Sequence, residues 1–158
     1  MSRVQVALNV TDLGEAIDFY SKLFHTEPAK VRAAYANFAI ADPPLKLVLI
    51  ENADAPAGSL NHLGIEVGST GEVAAAAARL SSEGLPTATE EQVNCCWAIQ
   101  DKVWVEGPGG EPWEVYTVLA DADSEATTQR ATGPSHEACC AGRPELTHAV
   151  ASPTPSCR

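Results

Sequence analysis

Apolar residues occupy every second position in two segments of the chain, 4–10 and 63–67. This alternation predicts two strands that each have one apolar and one more polar face, because successive side chains of a strand point to opposite sides. We expect the apolar faces to pack against helices, which leaves Gln5 and His62 on the opposite, concave face of a sheet. The alternating apolar residues are Val4, Val6, Leu8 and Val10 in the first segment and Leu63, Ile65 and Val67 in the second.

An internal repeat relates the two segments. A shift of 57 residues aligns Gly14 with Gly71 and Gln5 with His62, and no gap interrupts the alignment. In each copy the strand is followed by an N-cap residue and a predicted helix. The first helix has an apolar stripe, and the second has a run of alanines with high helix propensity. The predicted helices span 12–24 and 71–82.

Three shorter strand-like segments follow each helix, so that each copy has the order βαβββ. Turn-forming prolines and glycines separate these segments. The pattern predicts an α+β fold in which paired βαβββ modules form one curved mixed sheet around a metal-binding cleft, with the helices on its outer face. The predicted strands after the helices span 27–31, 35–40 and 45–51 in the first copy and 87–93, 96–105 and 112–118 in the second.

The pattern of apolar positions stops near residue 120. Residues 121–158 are rich in Ala, Ser, Thr, Pro and Gly and offer too little apolar surface to offset the entropy of ordering. We therefore predict one folded domain over 1–120, with modules of about 1–55 and 58–120, and a disordered tail after it.

Charge and composition exclude several classes of partner. The chain has 158 residues and a net charge of −11, which argues against nucleic acid because phosphate binding needs a basic surface. No apolar run is long enough to span a bilayer or resembles a signal peptide, so we predict a cytoplasmic protein with no membrane partner. The five cysteines, two pairs of them adjacent, are predicted to be reduced thiols.

Three polar residues on the predicted strands are candidate metal ligands. Gln5 and His62 are matched by the repeat, and Glu114 lies on the last strand of the second copy. The first copy has Lys46 at the position that we match with Glu114, and a protonated lysine cannot bind a metal. A site here would therefore have three protein ligands. Taken alone, Gln5 is more typical of a polar strand residue and His62 of an ordinary half-buried histidine. The repeat together with Glu114 favours a metal triad.

The paired modules, with candidate ligands on the first strand of each and the last strand of the second, resemble the vicinal oxygen chelate superfamily. That superfamily includes glyoxalase I, fosfomycin-resistance and bleomycin-resistance proteins and extradiol dioxygenases. Four segments together with Cys95 and Cys96 resemble carbon–arsenic lyases of the ArsI type, whose relatives are often labelled cadmium-induced proteins. The resemblance covers about residues 1–120 and not the tail. The four segments are 35–40, 44–52, 60–64 and 112–116.

The resemblance implies a non-heme iron(II)-dependent dioxygenase that cleaves the carbon–arsenic bond of methylarsenite or trivalent aromatic arsenicals and releases arsenite. Gln5, His62 and Glu114 would hold Fe(2+), although other divalent metals can occupy such a site. The family pattern usually has histidine in place of Gln5, whose amide oxygen is a weaker ligand. The sequence identifies no general base, and it leaves open the substituent on arsenic and whether the protein forms a homodimer.

The resemblance also implies that Cys95 and Cys96 hold the arsenic, because As(III) is thiophilic and two thiolates displace its two oxygen ligands. Adjacent residues of a regular strand point to opposite faces, so joint binding needs a bulge, a loop or a mobile segment here. The alternative is one buried and one exposed cysteine on a strand. Four aromatic residues are candidates for the wall of a pocket, or else belong to the core: Trp97, Trp104, Trp113 and Tyr116.

Two other functions remain open from the sequence. One is a non-catalytic protein that sequesters soft metals or organoarsenicals through its thiols. The other is a metal-dependent isomerase or thiol transferase of the glyoxalase or fosfomycin-resistance type, which would need a fourth ligand. In the predicted tail, Cys139 and Cys140 with His136 form either a second soft-metal site or solvated thiols without a site, and Cys157 has no assigned role.

Overall fold

Eight strands and two helices make up the part of the chain that the computed structural model describes, residues 2–122. The first module contains β1 (Arg3–Val10), α1 (Leu13–Phe24), β2 (Lys30–Arg32), β3 (Tyr35–Ile40) and β4 (Leu45–Glu51). The second contains β5 (Leu60–Glu66), α2 (Thr70–Ser82), β6 (Thr87–Cys95), β7 (Ala98–Glu106) and β8 (Pro112–Asp121). Each module therefore has the predicted order βαβββ.

All eight of these strands form one mixed sheet in the order β2-β3-β4-β1-β5-β8-β7-β6. β1 and β5 lie antiparallel at its centre, and each is parallel to the last strand of its own module, β4 or β8. The prediction of an α+β fold with paired βαβββ modules in one curved sheet is confirmed.

The pairing of β1 with β5 shows that the repeat is also a structural symmetry. Gln5 pairs with Gly64, and Ala7 pairs with His62. A shift of 57 residues converts one of these pairs into the other, as expected for two modules related by a local two-fold axis at the centre of the sheet. Gln5 and His62 therefore lie at matched positions on the same face.

Each helix begins at a side-chain cap and packs on the outer face of its own module. The Asp12 carboxylate accepts a hydrogen bond from the backbone of Glu15, and the Ser69 hydroxyl accepts one from Glu72. Within residues 2–122, neither helix is long and apolar enough to cross a membrane. The apolar cluster under α1 contains Val10, Ala36, Phe38, Ile40, Leu47 and Leu49, and the cluster under α2 contains Val73, Leu80, Val103 and Val115.

The outer face is exposed where the two modules meet. Val4 and Ile65 lie opposite each other on β1 and β5, and they are 46% and 38% exposed. The expectation that helices cover the whole apolar face is therefore wrong at this seam, because each helix packs over strands of its own module.

Two strand boundaries differ from the predicted ones. β6 runs to Cys95 and β7 begins at Ala98, so the strand predicted over 96–105 begins two residues later, after a turn. β8 continues to Asp121, past the predicted domain boundary. Apart from its first two residues, the predicted tail lies outside the described residues.

Candidate active site

Three polar side chains from strands at the centre of the sheet converge on its concave face. Gln5 comes from β1, His62 from β5 and Glu114 from β8, and all three are buried. Gln5 Nε2 lies 2.9 Å from Glu114 Oε1 and 3.0 Å from His62 Nε2, and the last two atoms are 3.4 Å apart. The structure therefore brings together the three residues of the predicted triad.

The spacing of these three atoms suits the ligands of one divalent cation. Ligands that bind at about 2.1 Å and at right angles are about 3 Å apart. Gln5 points its amide nitrogen at His62 and Glu114, and this nitrogen is a hydrogen-bond donor that cannot bind a metal. Rotating the amide by half a turn places its oxygen, which can bind a metal, at the same position. Residues 2–122 contain no group of three His, Cys, Asp or Glu side chains that suits a metal, so a cation here depends on that oxygen.

A chain of amide side chains sets the tautomer of His62. Asn9 donates to the Ser59 hydroxyl, which turns the Asn9 oxygen towards Asn61, and Asn61 donates to that oxygen from 2.9 Å. The side-chain oxygen of Asn61 lies 2.7 Å from His62 Nδ1 and accepts a hydrogen bond from it. His62 Nε2 therefore keeps its lone pair and faces Gln5 and Glu114, the arrangement that a metal-binding imidazole requires.

Glu114 is held as a carboxylate by a buried lysine. Lys102 Nζ lies 2.8 Å from Glu114 Oε2 and also sits over the ring of Trp104. Burial raises the pKa of Glu114, but the charge and the hydrogen bond of Lys102 act in the opposite direction, and the pKa falls to about 2. The other oxygen of this carboxylate is therefore anionic at neutral pH and available to a cation.

Sequence reasoning missed Lys102 and Asn61, which surround the triad. The signal for Lys102 was the alternation along β7, which puts it on the same face as Trp104. The signal for Asn61 was its position directly before His62, with an amide able to reach the imidazole.

We expect Lys102→Met to destabilise the metal-free protein by about 3–5 kcal/mol near neutral pH, the cost of removing one member of a buried ion pair. The lowered pKa of Glu114 gives the wild type stability that is present above pH 4.5 and is lost as the pH falls towards about 2. Without Lys102 the pKa of Glu114 rises. The difference in free energy of unfolding between the wild type and Lys102→Met, which we call the gap, therefore narrows as the pH falls from 4.5 towards about 2. Urea unfolding at about pH 7 and about pH 3 measures the gap.

The matched control for this prediction is Lys102→Met/Glu114→Gln, which replaces both charges and should recover most of the lost free energy of unfolding. A gap that stayed constant between the two pH values would contradict the ion pair.

A second polar cluster adjoins the triad. The Tyr116 hydroxyl lies 2.6 Å from Gln5 Oε1, 2.9 Å from Glu66 Oε2 and 3.0 Å from Lys46 Nζ. Glu66 also forms ion pairs with Lys46 and Arg3. Burial and the nearby carboxylates raise the pKa of Tyr116, so its hydroxyl remains a hydrogen-bond donor.

The strand registers correct the predicted match of Lys46 with Glu114. Glu114 pairs with Gly64, and the repeat relates Gly64 to Ala7, whose partner in β4 is Val48. Val48 therefore occupies the matched position, and Lys46 lies two residues before it. The mismatch arose because matching the two strands by sequence position alone ignores strand pairing. The expectation of three protein ligands is unchanged, since valine offers none.

The adjacent thiols lie at the hairpin between β6 and β7. Cys95 pairs with Ala98, and Cys96 and Trp97 form a two-residue turn in which both have positive φ, 56° and 63°. Such turns ordinarily contain asparagine or glycine, so both residues are in a strained conformation. The two Sγ atoms lie 3.2 Å apart, close enough to bond to one atom. The turn thus removes the obstacle that a regular strand would impose.

An open cleft of about 210 Å³ lies beside the thiols. Cys96 lines it together with Lys46 and Glu66 of the second polar cluster. Both of those residues contact the Tyr116 hydroxyl, which in turn contacts the amide of Gln5. Hydrogen bonds through Tyr116 therefore connect two residues of the cleft wall to Gln5, although Gln5, His62 and Glu114 do not line the cleft themselves.

A sequence model of the Glyoxalase/Bleomycin resistance protein/Dioxygenase superfamily matches residues 3–115. The chain belongs to this superfamily. A protein of Thermomonospora curvata named trivalent organoarsenical cleaving enzyme is 59% identical over 143 residues, which cover 90% of this chain and 91% of the relative. The cadmium-induced protein CadI of Mycobacterium tuberculosis is 59% identical over 146 residues, which cover 90% of this chain and 95% of the relative.

Solved structures of the Glyoxalase/Bleomycin resistance protein/Dioxygenase superfamily share the fold of the chain. The Mn(II)-bound glyoxalase from Novosphingobium aromaticivorans superimposes with a TM-score of 0.56 at 20% identity, over 82% of this chain and 44% of that chain. The two sequence relatives correct one expectation. They match 90% of the chain, more than residues 1–120 can supply, so the resemblance extends into the predicted tail.

The four aromatic residues predicted to line a pocket lie in three different places in the structure. Trp104 and Tyr116 face the triad, and the Trp104 ring centre is 5.6 Å from that of His62. Trp97 packs at the thiol turn against apolar residues of the first module. Trp113 lies on the outer face of β8, the face that packs on α2, so it does not contribute to the wall.

Proposed function

We propose that the protein cleaves the carbon–arsenic bond of trivalent organoarsenicals, such as methylarsenite, in an iron(II)- and dioxygen-dependent reaction that releases arsenite. The observation that carries this proposal is the thiol pair, whose sulfur atoms lie 3.2 Å apart beside an open cleft. Lys46 and Glu66 of the cleft wall contact the Tyr116 hydroxyl, which is hydrogen-bonded to Gln5 of the triad. The name of the Thermomonospora relative supports the same class of substrate.

In this proposal Cys95 and Cys96 bind the arsenic. As(III) prefers soft sulfur ligands, and exchange of its two hydroxyl groups for two thiols releases two water molecules and leaves the organic substituent attached. The cleft beside Cys96 gives that substituent room. Two buried atoms near the thiols, Trp97 Nε1 and Gln100 Oε1, have no hydrogen-bond partner in the described part of the chain and are available to a bound ligand.

The triad would hold the iron through Gln5 Oε1, His62 Nε2 and Glu114 Oε1. Two neutral ligands and one carboxylate leave positions open, and iron(II) bound there would activate dioxygen for oxidation of the carbon–arsenic bond. Asn61 maintains the ligating tautomer of His62, and Lys102 keeps Glu114 anionic. No side chain is assigned as a general base.

The thiol pair also supports a second function, stoichiometric sequestration of soft metals or organoarsenicals. Such a protein would bind one equivalent of ligand and consume no dioxygen. An isomerase or thiol transferase of the glyoxalase type is less well supported, because the position matched to Glu114 holds Val48 and supplies no fourth ligand.

Anaerobic loading with iron(II), followed by methylarsenite and then dioxygen, tests the proposal. We expect arsenite to be released over many turnovers, with dioxygen consumed in proportion, and no release when either iron or dioxygen is withheld. Binding of one equivalent of methylarsenite without arsenite release would favour sequestration instead.

A further inference from the structure

The buried amide of Gln5 has hydrogen-bond partners at both ends. Its nitrogen lies against His62 and Glu114, and its oxygen accepts from the Tyr116 hydroxyl at 2.6 Å. These contacts hold the amide with nitrogen inward. That orientation satisfies the triad without a metal, but it cannot serve a cation, because an amide nitrogen is a donor and not a ligand.

The Tyr116 hydroxyl suits the opposite orientation equally well. With the amide oxygen inward, Gln5 Nε2 would donate to the Tyr116 oxygen, and the phenol proton would need another acceptor. Glu66 Oε2 lies 2.9 Å from the hydroxyl and is that acceptor. Lys46 donates to the hydroxyl from 3.0 Å, and the two lone pairs of the oxygen then serve Lys46 and Gln5.

We infer that Tyr116 and Glu66 are positioning residues that select the orientation of the Gln5 amide, with nitrogen inward in the metal-free protein and oxygen inward when a cation is bound. This inference rests on the proposed metal centre. Glu66 is needed for the oxygen-inward orientation only. In that orientation the Gln5 oxygen has turned away, and the Tyr116 hydroxyl donates its hydrogen bond to Glu66 instead. The cluster thereby sets the metal affinity without contacting the metal.

Nuclear Overhauser contacts of the Gln5 side-chain amide protons report the orientation in the full-length protein. Zn(II) is a suitable probe because it is diamagnetic and accepts nitrogen and oxygen ligands. We expect contacts to the His62 ring in the metal-free protein and to the Tyr116 ring in the Zn(II)-bound protein. Zn(II) binding that left the contacts to His62 unchanged would overturn the inference.

A pair of substitutions tests the role of Glu66 without changing the net charge. Arg3→Leu/Glu66→Leu removes the alternative acceptor, so the Tyr116 hydroxyl continues to donate its hydrogen bond to the Gln5 oxygen. We expect Zn(II) to bind about tenfold more weakly, equal to about 1.4 kcal/mol and of the size of one hydrogen bond. In a Gln5→His background the same pair should change the affinity by less than about twofold, because an imidazole has no oxygen end to turn.

Equal losses of affinity in the Gln5 and Gln5→His backgrounds would show that Glu66 acts through packing, and would overturn the inference. If the double variant fails to fold, the amide contacts of the wild-type protein decide the question. A wild-type chain that bound neither Zn(II) nor iron(II) would overturn the metal centre of the proposed function as well, so the two failures are distinguishable.

Discussion

Replacing His62 or Glu114 by alanine is expected to weaken iron(II) binding by more than about a hundredfold and to abolish arsenite release. Each substitution removes one of only three protein ligands, and the remaining two hold the ion too weakly against water. Both side chains face the concave side of the sheet and not the apolar clusters under α1 and α2, so we expect His62→Ala to fold. Iron content after anaerobic reconstitution and desalting measures the loss.

The controls for this prediction separate metal binding from folding. His25→Asn changes an exposed histidine with positive φ, which asparagine tolerates, and should keep full iron content. Glu114→Ala removes the carboxylate that faces Lys102 and so also costs stability; Lys102→Met/Glu114→Ala removes both charges and keeps the test valid. Wild-type iron content in folded His62→Ala would remove the triad from consideration.

Replacing Cys95 or Cys96 by serine is expected to weaken methylarsenite binding by more than about a hundredfold and to stop arsenite release. A serine hydroxyl is a hard, neutral ligand, whereas As(III) prefers soft thiolates, and one sulfur cannot displace both of its oxygen ligands. The iron content should stay at the wild-type level, because neither thiol contributes to the triad. Titration with methylarsenite under anaerobic conditions measures binding, and iron content is determined on the same samples.

The chain supplies its own matched control for the thiol pair. Cys139 and Cys140 are the other adjacent cysteines, so Cys139→Ser/Cys140→Ser removes the same chemistry at another place and should leave turnover intact. Full arsenite release by Cys95→Ser/Cys96→Ser would contradict the assignment of arsenic binding to the thiol pair, which is the observation that carries the proposed function.

The sequence was sufficient to predict the fold and the face of the sheet on which the triad lies. Strand alternation is a local property, since each residue's side is set by its neighbours along the chain. The 57-residue repeat then matched Gln5 with His62, and the antiparallel pairing of β1 with β5 reproduces that match.

The neighbours of the triad could not be predicted in the same way. Tyr116 meets Gln5 from a position 111 residues away in the sequence, and Lys102 meets Glu114 across the pairing of β7 with β8. A slip of one residue in such a pairing moves every side chain to the other face, and alternation within one strand does not define the register between two. The mistaken match of Lys46 with Glu114 has the same cause.

The thiol pair shows the division between sequence and tertiary structure most clearly. The sequence by itself determined that two soft ligands are adjacent, and that a regular strand would point them apart. Only the tertiary structure places Cys96 and Trp97 in a turn with positive φ, which nothing in a Cys-Trp pair predicts. Packing of both residues against the first module, and the hydrogen bond from Lys30 to the Trp97 carbonyl, stabilise that strained turn.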